Sequence, residues 1–271
     1  MTKFLYNLIS IALFIYIIIF LYIYIIQRKL IYRPNNENLN SNKIDKINFN
    51  YNEVQIITNE GIKLKALFHE KDLINKKTLI FFHGNEGPLD DRNYKLNAFS
   101  KLNINFIIVA WRGFSYNEGN PTEKGLYQDA KSTIEWIKNK GVKEKKIILY
   151  GESLGSSIVI EVAQHKNFAG IILEAPFTSL VEIAQKNYPF FPVQFILQDK
   201  FETIKKIKNI KSPILIMHSE SDKTVPFYMG KKLFDEAPTK KYGYFPYYDN
   251  HMMTFNSKLI FELQKFIKKL R

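Results

Sequence analysis

The chain has 271 residues, of which 46% are hydrophobic and 15% aromatic, so it can bury a sizeable core and is not of the disordered class. It contains no cysteine, which excludes disulfides, thiolate catalysis, zinc–sulfur sites and S-acylated anchors. The formal net charge is +13, but no dense basic run occurs outside the terminal KFIKKLR, so we expect no nucleic-acid partner.

The first predicted element is the uncharged stretch FLYNLISIALFIYIIIFLYIYII at residues 4–26. As a helix it would be about 34 Å long, enough to cross a bilayer core of about 30 Å. A signal peptide would have a shorter apolar region and a small-residue cleavage site, and the sequence shows neither. We therefore predict that residues 1–33 form a single-pass membrane anchor.

Basic residues flank the predicted anchor unequally. Arg28, Lys29 and Arg33 follow it, whereas only Lys3 and the terminal amine precede it. Positive charge favours the cytoplasmic side, so this asymmetry favours a cytoplasmic location for the domain that follows, with the opposite orientation left open.

The rest of the chain divides into a linker and one domain. Residues 34–48, PNNENLNSNKIDKIN, are polar and rich in asparagine, which is typical of a linker. From 49 to 271, an opening hairpin is followed by alternating strand and helix patterns, which predicts an α/β fold with a mostly parallel eight-stranded sheet covered by helices. The predicted strands are 51–57, 62–69, 78–83, 104–110, 146–150, 169–174, 213–218 and 241–247, and the predicted helices of this domain are 91–101, 123–140, 154–166, 178–186, 226–236 and 256–269.

The strand at 146–150 runs into the sequence GESLG at residues 151–155 and then into a helix. This G-x-S-x-G pattern is typical of a tight strand-to-helix turn that presents a serine hydroxyl, here that of Ser153. A serine hydroxyl is a poor nucleophile at neutral pH, so it needs a base within hydrogen-bond reach and a carboxylate that orients the base.

His251 is the candidate base, because it alone lies in a loop after the last predicted strand and can point back at Ser153. Of the remaining histidines, His69 lies in a predicted strand and His165 at the far end of the helix that follows Ser153. His83 lies in a turn that shapes a loop, and His218 is predicted to face the sheet interior. Asp222, after the strand at 213–218, is the candidate acid. Glu174 after 169–174 competes for that role, and the structural alternative for Asp222 is a turn or helix-capping aspartate before the helix at 226–236.

The tetrahedral intermediate of such a reaction carries a negative oxygen, which backbone N–H groups stabilise. One candidate donor is the amide of Leu154, directly after the serine and at a helix N-terminus. The second is the amide of Asn85 in HGNEG, the loop that follows the strand at 78–83.

These motifs resemble the α/β-hydrolase superfamily, and within it the small membrane-tethered hydrolases of the Bem type, which are described as serine-aminopeptidase-like. The matching segments FFHGNEG, WRGF, GESLG, EAPFTSL, YPFFP, SPILIMHSESDKTVP and DNH occur in order between residues 79 and 251. The resemblance implies an eight-stranded sheet, an N-terminal anchor and Ser–Asp–His hydrolysis that needs neither a metal nor an organic cofactor. Carried over by position, the triad is Ser153, Asp222 and His251, and the oxyanion hole is Asn85 and Leu154.

The chain departs from the family pattern at three loop positions. Ala110 stands where an aspartate is usual, and Ser115 and Ser219 stand where glycines are usual. These departures concern the geometry of the loops that follow strands and leave the triad positions intact.

A cap segment is predicted at about 175–205, and within it residues 187–200, NYPFFPVQFILQDK, are aromatic and proline-bounded. An apolar cap suits an acyl chain or a small hydrophobic ester as substrate, although these aromatic residues would also suit packing on the sheet edge. The favoured function is therefore a serine hydrolase acting on acyl esters or thioesters.

Two alternatives remain at this point. One is an aminopeptidase-like peptidase, in which Glu174 or Glu86 would bind the substrate amine. The other is a membrane-tethered binding module without catalysis, since fold does not guarantee activity. The sequence makes no statement about the oligomeric state.

Overall fold

The computed structural model describes residues 2–34 and 46–270. Most of the predicted linker, residues 35–45, lies outside the described residues. All eight predicted strands are present, as are all six helices predicted for the domain. The strands are β1 (Asn52–Ile57), β2 (Lys63–His69), β3 (Thr78–Phe82), β4 (Asn105–Val109), β5 (Ile147–Glu152), β6 (Gly170–Glu174), β7 (Ile214–Met217) and β8 (Lys241–Tyr244).

The helices include two short ones that the sequence pattern did not predict, α6 and α7, because four residues are too few to show a helical period. The helices are α1 (Thr2–Ile31), α2 (Asn93–Ser100), α3 (Glu123–Asn139), α4 (Leu154–Ala163), α5 (Leu180–Asn187), α6 (Val193–Ile196), α7 (Thr203–Lys206), α8 (Phe227–Glu236) and α9 (Ser257–Lys269).

The strands form one sheet in the order β1-β2-β4-β3-β5-β6-β7-β8. The hairpin β1–β2 is antiparallel and so is the pair β2–β4, whereas β3 to β8 are parallel to their neighbours. The hairpin turns at Gly61, whose φ of 83° favours glycine. The fold class predicted from the sequence is confirmed.

The sheet separates two cores, because successive side chains of a strand point to opposite faces. In β3, Ile80 and Phe82 join the core beneath α3, α4 and α8, whereas Leu79 and Phe81 join the core beneath α2 and α9. Every residue of β3, β4, β5 and β6 is buried. Such strands place their carboxyl ends, and the loops that follow them, on a rigid support.

Of the residues that the structure describes, α1 is the one helix long and apolar enough to cross a membrane. Most of its side chains are exposed, but its C-terminal turns lie against the domain. There Gln27 is buried, and the Arg28 Nε lies 3.0 Å from the Asp199 carboxylate. The predicted anchor and the predicted domain are therefore in direct contact.

Candidate active site

Ser153 occupies a strained turn between β5 and α4, with φ 50° and ψ −113°. The flanking glycines are required by close approach of the backbone. A Cβ at Gly151 would lie 2.5 Å from Ser156 Cα, and one at Gly155 would lie 2.0 Å from the carbonyl oxygen of Phe82. The G-x-S-x-G spacing thus lets α4 pack tightly on the sheet while Ser153 stands at its edge.

The structure brings the three candidate catalytic side chains within hydrogen-bond distance. His251 Nε2 lies 3.0 Å from Ser153 Oγ, and His251 Nδ1 lies 2.7 Å from Asp222 Oδ2. Because an ionised carboxylate only accepts hydrogen bonds, Nδ1 carries the proton and Nε2 is left to accept from the serine hydroxyl. This is the arrangement that a general base requires.

The Asp222 carboxylate is held by more donors than His251 alone. Its Oδ1 accepts from the backbone N–H groups of Thr224 (2.8 Å) and Val225 (2.9 Å), and its Oδ2 lies 3.2 Å from His218 Nε2. Burial acts to raise the pKa of Asp222, but the hydrogen bonds from His218, His251 and Val225 outweigh it and bring the pKa below the usual range. Asp222 is therefore ionised at neutral pH.

The contact of His218 with Asp222 was not predicted, since the sequence placed His218 only in the sheet interior. The available signal was its position four residues before Asp222 at the end of β7. Asp222 also makes turn contacts, because the same carboxylate accepts from the N–H groups of Thr224 and Val225. It does not cap α8, whose N-cap residue is Pro226 and has no side-chain cap bond.

Glu174 does not contact His251. Its carboxylate is fully buried, lies 2.7 Å from Lys95 Nζ and accepts from the hydroxyl of Tyr150. It also accepts from the backbone N–H of Met253 at 3.1 Å. In this position Glu174 supports the loop that carries His251 and is closed off from a substrate amine.

A buried ionic cluster lies beneath the turn. Arg92 Nη2 is 2.8 Å and Lys95 Nζ is 2.5 Å from the two carboxylate oxygens of Glu152, and Lys95 also contacts Glu174. Burial acts to raise the pKa of Glu152, but the charges of Arg92 and Lys95 outweigh it and keep the pKa below its usual range. Two cations and two carboxylates thus neutralise one another inside the fold, and Glu152 Oε1 accepts from the N–H of Gly84 at 3.1 Å.

No sequence pattern indicated this cluster. Arg92 and Lys95 lie near the start of α2, which reads as a polar surface helix, and their partners are far away in sequence. The only available signal was that Glu152 directly precedes Ser153 in a strand that is otherwise apolar.

The loop at 83–87, which we call the oxyanion loop, carries the candidate donor Asn85. His83 Nδ1 lies 2.9 Å from the carbonyl oxygen of Gly84, and the indole N–H of Trp111 donates to His83 O at 3.0 Å. Burial, together with the charge of Arg92, lowers the pKa of His83 to about 3, so the ring is neutral. As the sequence indicated, His83 shapes the loop.

The two candidate oxyanion donors are available for hydrogen bonding. Leu154 is the first residue of α4, and Asn85 lies in the oxyanion loop. Within the described ranges, neither backbone N–H has a hydrogen-bond acceptor. Both are thus free to donate to a substrate oxygen.

A cavity of about 300 Å³ opens beside Ser153 and Leu154. Its wall is mostly apolar and combines the cap with the last turns of α1. The lining includes Ile23, Leu30 and Ile31 of α1 and Leu180, Ile183, Phe191, Ile196 and Leu197 of the cap. Glu86 and Arg33, whose charged groups are 3.9 Å apart, contribute the charged part of the wall.

A shallower and more polar depression lies by His251 and is lined by Lys223, Tyr248, Asn250 and Thr254, among others. Thus His251 borders polar surface, whereas Ser153 borders the apolar cavity. Among the described residues, no group of three or more His, Cys, Asp or Glu side chains could hold a metal ion.

The aromatic residues of the cap do not pack on the sheet edge as a group. Ile196 is buried, and the Phe191 ring stacks on Tyr16 of α1 with centroids 5.4 Å apart. Phe190 and Phe195 are each 87% exposed. Only part of this segment therefore faces the cavity.

Ser115 and Ser219, which stand where the family pattern has glycines, both form specific hydrogen bonds. Ser115 has φ 50°, a conformation that favours glycine, and its Oγ accepts from Leu89 N at 3.1 Å. Ser219 Oγ donates to Asp249 O at 2.8 Å and so holds the loop that carries His251. No contact explains the alanine at position 110.

An eight-stranded, mostly parallel sheet with a serine at the turn between β5 and α4 defines the class of α/β hydrolases. A family model described as "Serine aminopeptidase, S33" matches residues 74–204. An uncharacterized protein of Mycobacterium tuberculosis strain H37Rv is 29% identical over 70% of this chain and 68% of its own length.

Two further similar proteins are named for a hydrolase activity. A Danio rerio protein named lysophosphatidylserine lipase is 31% identical over 65% of this chain and 51% of its own length. A solved structure of a Pyrococcus furiosus esterase superposes with a TM-score of 0.67 at 19% identity, covering 83% of this chain and 94% of the esterase. The chain belongs to the α/β-hydrolase superfamily.

Proposed function

We propose that the protein is a serine hydrolase that cleaves acyl esters or thioesters through an acyl-enzyme. The observation that carries this proposal is the pair of contacts that His251 makes, with Ser153 on one ring nitrogen and with Asp222 on the other. Both contacts are needed to activate a serine hydroxyl.

In this mechanism Ser153 Oγ attacks the acyl carbonyl carbon while His251 Nε2 takes the hydroxyl proton. The N–H groups of Asn85 and Leu154 stabilise the resulting oxyanion. The bond to the leaving group then breaks, and His251 returns the proton to the departing oxygen or sulfur. Water, deprotonated by His251, attacks the acyl-enzyme and releases the acid and free Ser153, while Asp222 stabilises the imidazolium throughout.

The surroundings of Ser153 favour an acyl chain on one side and a polar leaving group on the other. The apolar cavity has a volume near the lower end of the range for small-molecule sites, about 300–1,000 Å³, which suits a short or medium acyl chain. The polar depression near Lys223 and Asn250 suits a hydrophilic leaving group. The names of the Danio rerio lipase and the Pyrococcus furiosus esterase agree with ester cleavage.

Peptide cleavage is the second candidate, and one observation favours it. Glu86 lies in the cavity wall with its side chain 62% exposed, so it is able to meet a substrate amine. Its nearest cation is Arg33, however, and the remainder of the wall is apolar. We therefore place ester hydrolysis first.

We further propose that residues 1–33 anchor the protein in a membrane and that residues 34–48 connect this anchor to the domain at 49–271. We also propose that the domain lies on the cytoplasmic side. The apolar length of α1 and the basic residues after it support this proposal.

The proposed substrate class can be tested with full-length protein and a series of p-nitrophenyl esters, together with an aminoacyl p-nitroanilide. We expect kcat/KM to rise from acetate to a medium-chain ester, as burial of each methylene contributes about 0.8 kcal/mol, and then to fall once the chain exceeds the cavity. The anilide should be the poorest substrate. Faster hydrolysis of the anilide than of every ester would instead identify a peptidase.

A further inference from the structure

One face of α1 lies along the active-site cavity. Phe20, Ile23 and Gln27 are less exposed than their neighbours and recur at the spacing of one helix face, whereas Ile25 on another face is 77% exposed. Ile23 and Gln27 also line the cavity beside Ser153. The last turns of α1 therefore form a wall of the site.

Polar contacts fix the cap to this wall. Gln27 is 4% exposed, its Nε2 donates to Ile196 O at 3.2 Å, and its Oε1 accepts from Gln198 N at 2.8 Å. The next residue, Arg28, donates from Nε to the buried carboxylate of Asp199. A buried amide with its hydrogen bonds satisfied specifies one arrangement of the two elements.

The chain that leaves α1 then contacts the oxyanion loop. Arg33 N–H donates to Asn85 O at 2.8 Å, Gly87 N–H donates to Arg33 O at 3.1 Å, and Asn85 Nδ2 donates to Ile31 O at 2.7 Å. On its other side, the loop is bound by Glu152 through the N–H of Gly84. The candidate donor Asn85 is thus held between the buried cluster and the end of α1.

We propose that the end of α1 and the segment Ile31–Arg33 are positioning elements of the active site, which hold the oxyanion loop and the cap in the geometry for catalysis. This inference rests on the proposed function. An oxyanion donor is effective only when it lies about 2.7–3.1 Å from the developing charge, so a small displacement of Asn85 weakens the stabilisation of the transition state. Hydrolysis of a freely soluble ester should then depend on α1, which a simple tether would not explain.

The Arg33→Pro substitution tests this inference, because proline removes the N–H that donates to Asn85 O. In full-length protein in phospholipid nanodiscs, we expect kcat for p-nitrophenyl butanoate to fall at least about tenfold, since loss of a whole oxyanion donor costs about 10²–10³-fold. KM should change little. The matched control Ile25→Ala alters an exposed face of α1 and should leave kcat unchanged.

Amide hydrogen exchange supplies a readout that does not depend on activity. The amides of residues 84–88 should exchange faster in Arg33→Pro than in wild type or Ile25→Ala. Wild-type kcat together with wild-type exchange in Arg33→Pro would overturn the inference.

If Arg33→Pro does not fold, Asn85→Leu, which removes only the bond to Ile31 O, decides by the same two measurements. A wild-type protein that neither hydrolyses esters nor reacts with a fluorophosphonate would instead refute the proposed function, and the exchange data would still test the contact.

A different observation supports a second inference, about the tip of the cap at residues 188–195. Tyr16 lies within the uncharged stretch, about 18 Å before Arg28 along α1. Its ring stacks on that of Phe191, and its hydroxyl donates to the carbonyl oxygen of Phe190. Phe190 and Phe195 are almost fully exposed. Residues 187–198 carry no charge, which is unusual for an exposed tip facing water.

We infer that the tip of the cap inserts into the hydrocarbon of the bilayer beside α1. If α1 crosses the membrane as proposed, a residue about 18 Å from its basic end lies within a hydrocarbon core of about 30 Å. The partner of Phe190 and Phe195 is then lipid, and the cavity between the cap and α1 lies next to the acyl chains of the membrane.

Brominated lipid, which quenches tryptophan fluorescence on contact, tests this inference with the variants Phe190→Trp and Phe195→Trp in liposomes. After subtraction of the signal of the native Trp111 and Trp136, both variants should be quenched by lipid brominated on the acyl chain. The matched control is Ile74→Trp, in the loop between β2 and β3, where the native residue is 80% exposed. This variant should not be quenched. Equal quenching of all three variants, or quenching of none, would overturn membrane insertion of the tip.

Discussion

If Ser153 is the nucleophile as proposed, Ser153→Ala should lower kcat for ester hydrolysis by about 10⁴–10⁶-fold, as loss of the nucleophile does in serine hydrolases. His251→Gln should have an effect of the same order, because without the base the hydroxyl stays protonated. Combining the two substitutions should cost little more than either one alone, since the two side chains act as one unit. The measurement is the steady-state rate with the best p-nitrophenyl ester.

Labelling by a fluorophosphonate probe gives the corresponding direct measurement. Wild type should be labelled and Ser153→Ala should not, while the control Ser257→Ala, at an exposed serine that begins α9, should be labelled like wild type. Thermal unfolding should be little changed in Ser153→Ala, because among the described residues the Oγ has a hydrogen bond with His251 alone. Labelling that persists in Ser153→Ala would contradict the assignment, and absence of labelling in wild type would favour a non-catalytic binding module.

Lys95→Met should destabilise the protein by about 3–5 kcal/mol, the usual result of removing one partner from a buried ion pair. Lys95 is fully buried between Glu152 and Glu174. Without its charge, Arg92 alone would face two buried carboxylates. Because a domain of this size loses about 2–4 °C in Tm for each kcal/mol, thermal unfolding should show a drop of roughly 10 °C.

A matched control and a compensating substitution sharpen this test. Lys101→Met removes an exposed charge at the end of the same helix and should have little effect on Tm. Adding Glu174→Gln to Lys95→Met leaves Arg92 opposite Glu152 alone and restores neutrality, so part of the lost stability should return. If Lys95→Met is no less stable than Lys101→Met, the cluster does not contribute to stability in the way described.

The cluster also connects three parts of the site that are far apart in sequence. Glu152 directly precedes the candidate nucleophile Ser153 and binds Gly84 of the oxyanion loop, while Glu174 binds Met253 close to His251. Lys95 links the two carboxylates. Lys95→Met should therefore reduce kcat as well as stability, because the candidate nucleophile, base and oxyanion donor lose a common support.

The strand pattern and the residues that follow each strand could be predicted because both depend on short-range sequence. Apolar runs identify strands that are buried on both faces, and the chain order of a parallel sheet puts the residues after those runs at one edge. For this reason Ser153, Asp222 and His251 could be selected together. His218 is buried as expected, but its contact with Asp222 was not predicted because it depends on the turn that follows β7.

Sequence alone thus determined the class of fold, the membrane-length helix and the candidate residues at the strand ends, since each depends on periodicity and local turn chemistry. Only the tertiary structure decided that Arg92 and Lys95 of a polar helix are buried beneath Ser153, and that Gln27, Ile31 and Arg33 meet the cap and the oxyanion loop. These contacts join segments that are distant in sequence through individual hydrogen bonds and ion pairs, which leave no periodic trace in any one segment. They form because folding the sheet brings their elements to the same edge.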